Sequence, residues 1–165
     1  MSFVIARGGA ADIEGVGSLH ALSRLKTYKF LNGYHPEVYA AHWRARFEAE
    51  RENHRLHVAT ADSAGQELIG FAYVGDGLLH AIHVHPDWIG RGVGQALIEV
   101  ARRSLRELGF ARAALWVLEE NERACRFYER DGWVLSGQAR LSEIEGVTTR
   151  QLEYARDLDQ PDPAA

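Results

Sequence analysis

The sequence holds a single cysteine, Cys125, and no long apolar run. One thiol excludes an intrachain disulfide and any zinc cage built from cysteines. No stretch reaches the roughly 18 consecutive apolar residues of a membrane span. The opening residues, Met1-Ser2-Phe3-Val4-Ile5-Ala6-Arg7, have neither the charged start nor the extended apolar stretch of a secretory signal. Positive charge is not in excess either: 19 Lys and Arg against 23 Asp and Glu leave a net charge of −4. Bulk-charge attraction to nucleic acid or to an anionic membrane is thereby excluded, although a local basic patch is not. What is present is ordinary: 165 residues, 46% hydrophobic and 25% charged. That suffices for one domain hiding roughly 70% of the surface of its unfolded chain. The expectation is a cytoplasmic protein with a single domain over residues 1–157 and a flexible C-terminal tail over 158–165.

Apolar periodicity divides the chain into elements. Residues 3–6 read as a strand, and Asp12 as the N-cap of a helix whose Ile13, Val16, Leu19, Leu22 and Leu25 share a face. Gly15 and Gly17 weaken that helix. His35-Pro36 starts a second helix. Residues 56–61, 68–74 and 78–85 read as strands joined by turns at 62–65 and 75–77. The period then changes from 2 to 3.6. Val93, Ala96, Leu97, Val100, Ala101, Leu105 and Leu108 form one helical face, with Glu99, Arg102, Arg103 and Arg106 off it, and Gly109 stops the helix. Residues 113–118 form a near-continuous apolar run, suited to a strand buried on both faces. Asn121 opens a further helix, and a hairpin over 133–141 and 148–154 ends the fold. The order β-α-α-β-β-β-α-β-α-β-β predicts an α/β (α+β) mixed sheet with helices on both faces. A helical crossover makes strands 78–85 and 113–118 parallel.

The most informative stretch joins a strand to a helix: Ile89-Gly90-Arg91-Gly92-Val93-Gly94-Gln95. Glycines at alternate positions let backbone approach a ligand, and a helix start leaves amide N–H groups free, which together favour an anion. Arg91 adds a charged donor. The loop is not a Walker A motif, because Gln95-Ala96 stands where Lys-Ser or Lys-Thr is needed. Nor is it a dinucleotide fingerprint, since the final glycine position falls on Gln95 or Leu97. A plain tight turn packing helix on sheet is the competing account.

With His83-Val84-His85-Pro86-Asp87 before it and Asn121-Glu122-Arg123-Ala124-Cys125-Arg126-Phe127-Tyr128 to Gly132-Trp133 after it, the loop resembles the GNAT superfamily of acetyl-CoA-dependent N-acetyltransferases. The likeness covers residues 56–133. One position departs from the family pattern: Ile89 stands where Gln or Arg is usual. The resemblance implies a GNAT-like acyl-CoA N-acyltransferase fold, mostly antiparallel, with one parallel pair splayed apart to admit the pantetheine arm. It implies acetyl-CoA as co-substrate, no metal, and transfer to a primary amine by direct attack in a ternary complex. On this likeness the coenzyme is held by Gly90, Arg91, Gly92, Val93, Gly94 and Gln95, by Ile82, His83 and Val84, and by Asn121 and Tyr128. Tyr128 is the candidate acid for the leaving thiolate, since a phenol and a thiol have ordinary pKa values near enough for transfer (about 10 and about 8.5).

For the base, His80 ranks first and His83 second, with Asp76 and Glu119 as carboxylate alternatives. On a regular strand 80 and 83 lie on opposite faces, unless a bulge intervenes. The family likeness puts Tyr28, Tyr34, Trp43 and the 142–148 turn around the acceptor, a small-molecule or peptide amine of partly apolar or cationic character. Nucleic acid and membrane are not expected partners. A homodimer through the final strands or helices is an open option. Two rival readings remain: a non-catalytic acyl-CoA-binding module, and a metal protein ligated through His83 and His85 with His80 nearby.

Overall fold

The computed structural model describes residues 2–62 and 66–163. Its elements are β1 (Phe3–Arg7), α1 (Ile13–Thr27), α2 (Pro36–Glu50), β2 (His54–Ala61), β3 (Leu68–Gly75), β4 (Leu78–Val84), α3 (Val93–Glu107), β5 (Arg112–Leu118), α4 (Glu122–Arg130), β6 (Val134–Ile144) and β7 (Val147–Asp157). Short 3-10 turns occupy Ala10–Asp12 and Pro86–Trp88. The strands form one sheet in the order β1-β2-β3-β4-β5-β7-β6. Every neighbouring pair is antiparallel except β4 and β5, which are parallel. This is the expected element order and mixed sheet. Apart from Asp62, the turn expected at 62–65 lies outside the described residues.

Two cores sandwich the sheet. On one face α3 and α4 close over Leu97, Ile98, Leu105, Leu115, Val117 and Tyr154. On the other, α1 and α2 close over Val16, Leu19, Trp43, Phe71 and Tyr73. The apolar stripe of α3 explains its position: Val93, Leu97, Ile98, Ala101 and Leu105 are at most 1% exposed. Gly109, with φ +97, ends the helix in the left-handed conformation.

Four expectations change at this level. Arg102, expected off the apolar face, is 1% exposed. Its Nε lies 3.0 Å from the buried Asp131 carboxylate, which also accepts from Trp133 Nε1 at 3.0 Å. A charge buried this deeply persists because its partner is buried with it. Leu158, expected in the tail, is fully buried, and Asp162 pairs with Arg102. Asp12 does not cap α1 with its side chain; its carboxylate accepts from Gly9 N–H at 2.8 Å. Gly17 has a role that helix propensity hides. A Cβ there would stand 2.5 Å from the backbone nitrogen of Ala40, so glycine sets how closely α1 and α2 approach. Gly17→Ala should therefore destabilise the protein by about 1–3 kcal/mol, despite the better helix propensity of alanine. Thermal denaturation checks it: an unchanged or raised melting temperature would contradict the close packing.

Candidate active site

The parallel pair is nearly undone. β4 and β5 share only the register Leu78↔Ala114, with Ala114 N–H donating to the Gly77 carbonyl at 2.9 Å. Beyond that point the strands diverge, and a cavity of about 930 Å³ opens between them. The backbone facing the gap follows from the other side of β4. His85 N–H bonds the Ile69 carbonyl, and Val84 and Ile82 stand opposite Gly70 and Ala72. Antiparallel alternation then turns the amides of Ile82 and Val84 toward the gap, and that of His83 toward β3.

The glycine-rich turn forms one end of the cavity. Gly90 and Gly92 have φ +78 and +85, a conformation that side-chain-bearing residues seldom adopt. Among the described residues, the amides of Gly92, Val93, Gly94 and Gln95 have no acceptor, and no side chain caps α3. Four donors at the positive end of a fifteen-residue helix form an anion cradle. A Cβ at Gly94 would lie in ordinary contact with its neighbours, 3.4 Å from the Phe127 ring and 3.7 Å from Val84, so packing alone does not demand glycine there. Asn121 caps α4 as expected, its side-chain oxygen accepting from Ala124 N–H at 3.2 Å. That cap points α4 so that Tyr128 lines the cavity.

Tyr128 is 9% exposed, and its hydroxyl makes no hydrogen bond among the described residues. Burial, with Tyr28 and Cys125 nearby, raises the phenol above its usual range, so it stays protonated and can donate. The histidines are placed by a bulge. Tyr73 pairs with Ala81 and Val74 with Leu79, leaving His80 as the extra residue. His80 and His83 therefore share a face, contrary to regular alternation. His80 lies 5.9 Å from the Tyr73 ring and His83 5.3 Å from the Phe71 ring, both on the α1/α2 side.

Both imidazoles are held neutral. Burial, aided by Arg46, pushes His80 down to about 4. Burial, aided by Arg24, pushes His83 down to about 3. His80 Nε2 lies 3.0 Å from the Gly75 carbonyl, which only accepts, so a neutral ring carries its proton on Nε2 and leaves Nδ1 basic. His83 Nδ1 contacts Ser23 Oγ at 2.9 Å.

The cavity is lined by His80, Ile82, His83, Val84, Gly90, Gly92, Gly94, Gln95, Asn121 and Tyr128, so ten of the expected positions meet in one place. Two do not line it. Val93 is fully buried beneath its helix and offers only its amide, and the Arg91 guanidinium lies over the Trp88 ring at 5.4 Å. The carboxylate alternatives lie elsewhere: Asp76 is 3.5 Å from His54 Nε2, and Glu119 pairs with Arg150 at 2.7 Å. Trp43 is a correction. It is 2% exposed in the α1/α2 core and donates to His20 Nδ1 at 2.9 Å, so it cannot wall an acceptor. Tyr28 does line the cavity, and Ile144 of the final hairpin packs with Leu118 and Leu31 beside it. Sequence reasoning missed Ser23, Arg24, Trp116, Arg140 and Gln151, all in the lining. His85 Nδ1 is engaged by Asp87 N–H at 3.2 Å, and no cluster of three metal-ligating side chains occurs among the described residues.

Residues 24–133 match the model of the acetyltransferase (GNAT) family, and the chain belongs to that family. Its curated relatives include a mycothiol acetyltransferase of Geodermatophilus obscurus, 35% identical over 81 residues. That match spans 49% of this chain and 24% of the relative. An N-acetyltransferase of Methanocaldococcus jannaschii, itself uncharacterized, is 44% identical over 55 residues, 33% of this chain and 24% of the relative. The matches thus span about a quarter of either curated relative. The fold is shared with yncA of Salmonella typhimurium, solved with its cofactor acetyl-CoA: TM-score 0.73, 17% identity, 100% of this chain and 99% of that one. It is shared too with the PaiA N-acetyltransferase of Thermoplasma acidophilum, in complex with coenzyme A: TM-score 0.71, 17% identity, 95% of this chain and 99% of that one.

The depressed histidines make stability depend on pH. His57, His80 and His83 fall from an ordinary 6.5 to about 4, about 4 and about 3, burial being the main cause in each. Well above pH 6.5 they are neutral in both folded and unfolded chains. As the pH falls from 6.5 toward 4, the unfolded chain takes up protons that the folded chain refuses, and stability is lost. The melting temperature should therefore drop steadily across that interval. A flat profile from about pH 7 to about pH 4.5 would contradict the burial of these rings in the neutral form.

Proposed function

We propose that this chain transfers an acetyl group from acetyl-CoA to a primary amine by direct attack in a ternary complex. One observation carries the reading: unpaired amides at the start of α3, the unpaired strand edge of β4 and the free hydroxyl of Tyr128 all meet at one cavity. A diphosphate suits the first, an extended chain of amides the second, and a leaving thiolate the third.

The fit to the coenzyme rests on this chain's own donors. The amides of Gly92, Val93, Gly94 and Gln95 would hold the pyrophosphate, despite Ile89 at the position of the usual Gln or Arg. The amides of Ile82 and Val84 would pair with the pantetheine arm, one of them donating to the carbonyl oxygen as it gains charge. When bound, the coenzyme supplies an activated acetyl group as a thioester. Asn121 steadies the start of α4, and that helix carries Tyr128 to the sulfur.

His80 acts late in proton removal. An imidazole with a pKa of about 4 cannot hold a proton taken from a free ammonium of pKa about 10. The amine must therefore reach it uncharged. As the C–N bond forms, the nitrogen becomes strongly acidic, and His80 Nδ1, directly or through water, then accepts its proton. His83, on the same face, is the second candidate. Tyr128 donates to the departing sulfur.

A second reading has one observation in its favour. Ile89 is 43% exposed beside the phosphate turn, which suits weak coenzyme contact in a non-catalytic acyl-CoA-binding module. Calorimetry with acetyl-CoA, followed by a thiol-release assay over an amine panel, separates the two. Binding with release supports the enzyme, and binding with no release on any amine supports the module. Tyr128→Phe should lower kcat by about a hundredfold while leaving acetyl-CoA affinity within a few-fold. An unchanged kcat would remove the phenol from the mechanism. The acid limb of kcat/KM should show an enzyme ionisation near 4, absent in His80→Ala. A limb retained in both His80→Ala and His83→Ala would exclude both bases.

A further inference from the structure

The chain carries more acids than bases, 23 against 19, yet its large cavity is lined by four arginines and by no aspartate or glutamate. Two of the four, Arg123 and Arg130, sit on α4 with Asn121 and Tyr128, on the coenzyme side of the sheet. The phosphates of a nucleotide account for them. Those phosphates do not account for Arg140 or for Arg24, whose guanidinium lies over the Tyr39 ring at 5.7 Å.

Both belong to the opposite side of the sheet. Leu115 and Val117 of β5 point into the α3/α4 core, so Trp116 between them points away from it. The Arg140 guanidinium lies over the Trp116 ring at 4.2 Å, and its Nε donates to Gln151 Oε1 at 2.7 Å. Arg24 is in the last turn of α1, which packs over Phe71 and Tyr73 on this same side. The side chains of His80 and His83 lie there too. Neither guanidinium forms an ion pair with a carboxylate among the described residues. Arg140 is held flat by the indole and the Gln151 amide, with its two terminal nitrogens still available as donors.

Such a wall does not suit a purely cationic acceptor. The Trp116 ring that would attract a cation is covered by the protein's own guanidinium, and among the described residues no aspartate or glutamate lines the cavity. A fixed guanidinium fork recognises a carboxylate or phosphate instead. We infer that the acceptor is a primary amine carrying its own anionic oxygen group, a carboxylate or a phosphate, gripped by Arg24 and Arg140 on the His80 and His83 side of the cavity. The inference rests on the reading of the cavity as an acetyl-transfer site and narrows its acceptor.

The test compares matched amines at saturating acetyl-CoA, with rates taken per neutral amine. Phenylalanine is set against phenethylamine and phenylalaninamide for the carboxylate, and O-phosphoethanolamine against ethanolamine for the phosphate. The anionic member of one pair should lead in kcat/KM by about tenfold or more, and which pair shows it decides between carboxylate and phosphate. That preference should shrink toward unity in Arg140→Gln, whose side chain is exposed, and in Arg24→Gln. Neutral members equal to or better than anionic ones, or a preference untouched in both variants, would overturn the inference while leaving acetyl transfer in place. Should no amine be acetylated, the transfer reading fails on its own, and calorimetry of the same pairs on the CoA-saturated protein decides the anion site. Binding of an anionic member that both variants weaken supports it. Equal binding of the members, or none, overturns it.

Discussion

Two neighbouring strands in the middle of a sheet touch at one register and then part. Everything proposed for the site depends on that parting. A backbone donor or acceptor left without a partner in a dry interior costs about 1–3 kcal/mol, so a sheet does not open at its centre without solvent or a ligand to meet the exposed groups. Here the exposed edge of β4 borders a cavity of about 930 Å³. The antiparallel pairs on either side, β3 with β4 and β5 with β7, remain continuous through the split region, apart from the bulge at His80. They hold the two lips in place.

The cradle at the start of α3 is fixed from below. The helix buries Val93, Leu97, Ile98, Ala101 and Leu105, and Arg102 is tied to Asp131 just past the end of α4. Asp131 also accepts from Trp133, while Arg156 Nε donates to the Asp131 carbonyl at 2.7 Å. Asp131 thus links α3 and the start of β6 through its carboxylate and β7 through its main-chain carbonyl. Removing one partner of such a pair strands a charge, so this junction transmits position as well as stability. The other half of the site is built differently: Trp116, Arg140 and Gln151 lie on β5, β6 and β7 and hold one another through a stacked guanidinium and a 2.7 Å hydrogen bond.

Much of the fold was legible because local signals agreed with the global arrangement. The change from alternation to a helical period at Val93, the punctuation by Gly90, Gly92 and Gly109, and the cap at Asn121 each reported a local preference that the tertiary structure kept. What was hidden depended on partners distant in sequence. Nothing around His80 announces a bulge, because the register is set by β3, and that single extra residue brings His80 and His83 onto one face. Trp43 suits an acceptor wall by sequence, whereas its indole donates to His20, twenty-three residues earlier in the chain. Arg102 looked like a solvated helix residue, since its partner Asp131 lies twenty-nine residues away. Arg24 and Arg140 are 116 positions apart, and only the sheet brings them to one cavity.

The central claim is that the amides at the start of α3 and along the inner edge of β4 receive the coenzyme. Titration of isotopically labelled protein with coenzyme A, followed by amide NMR, tests it most directly. The account predicts saturable shifts concentrated at Ile82, Val84 and Gly90 through Gln95, with Val4 and Val38 on the far surfaces unmoved. Saturable binding whose shifts fall elsewhere, or no binding at millimolar coenzyme, would contradict it.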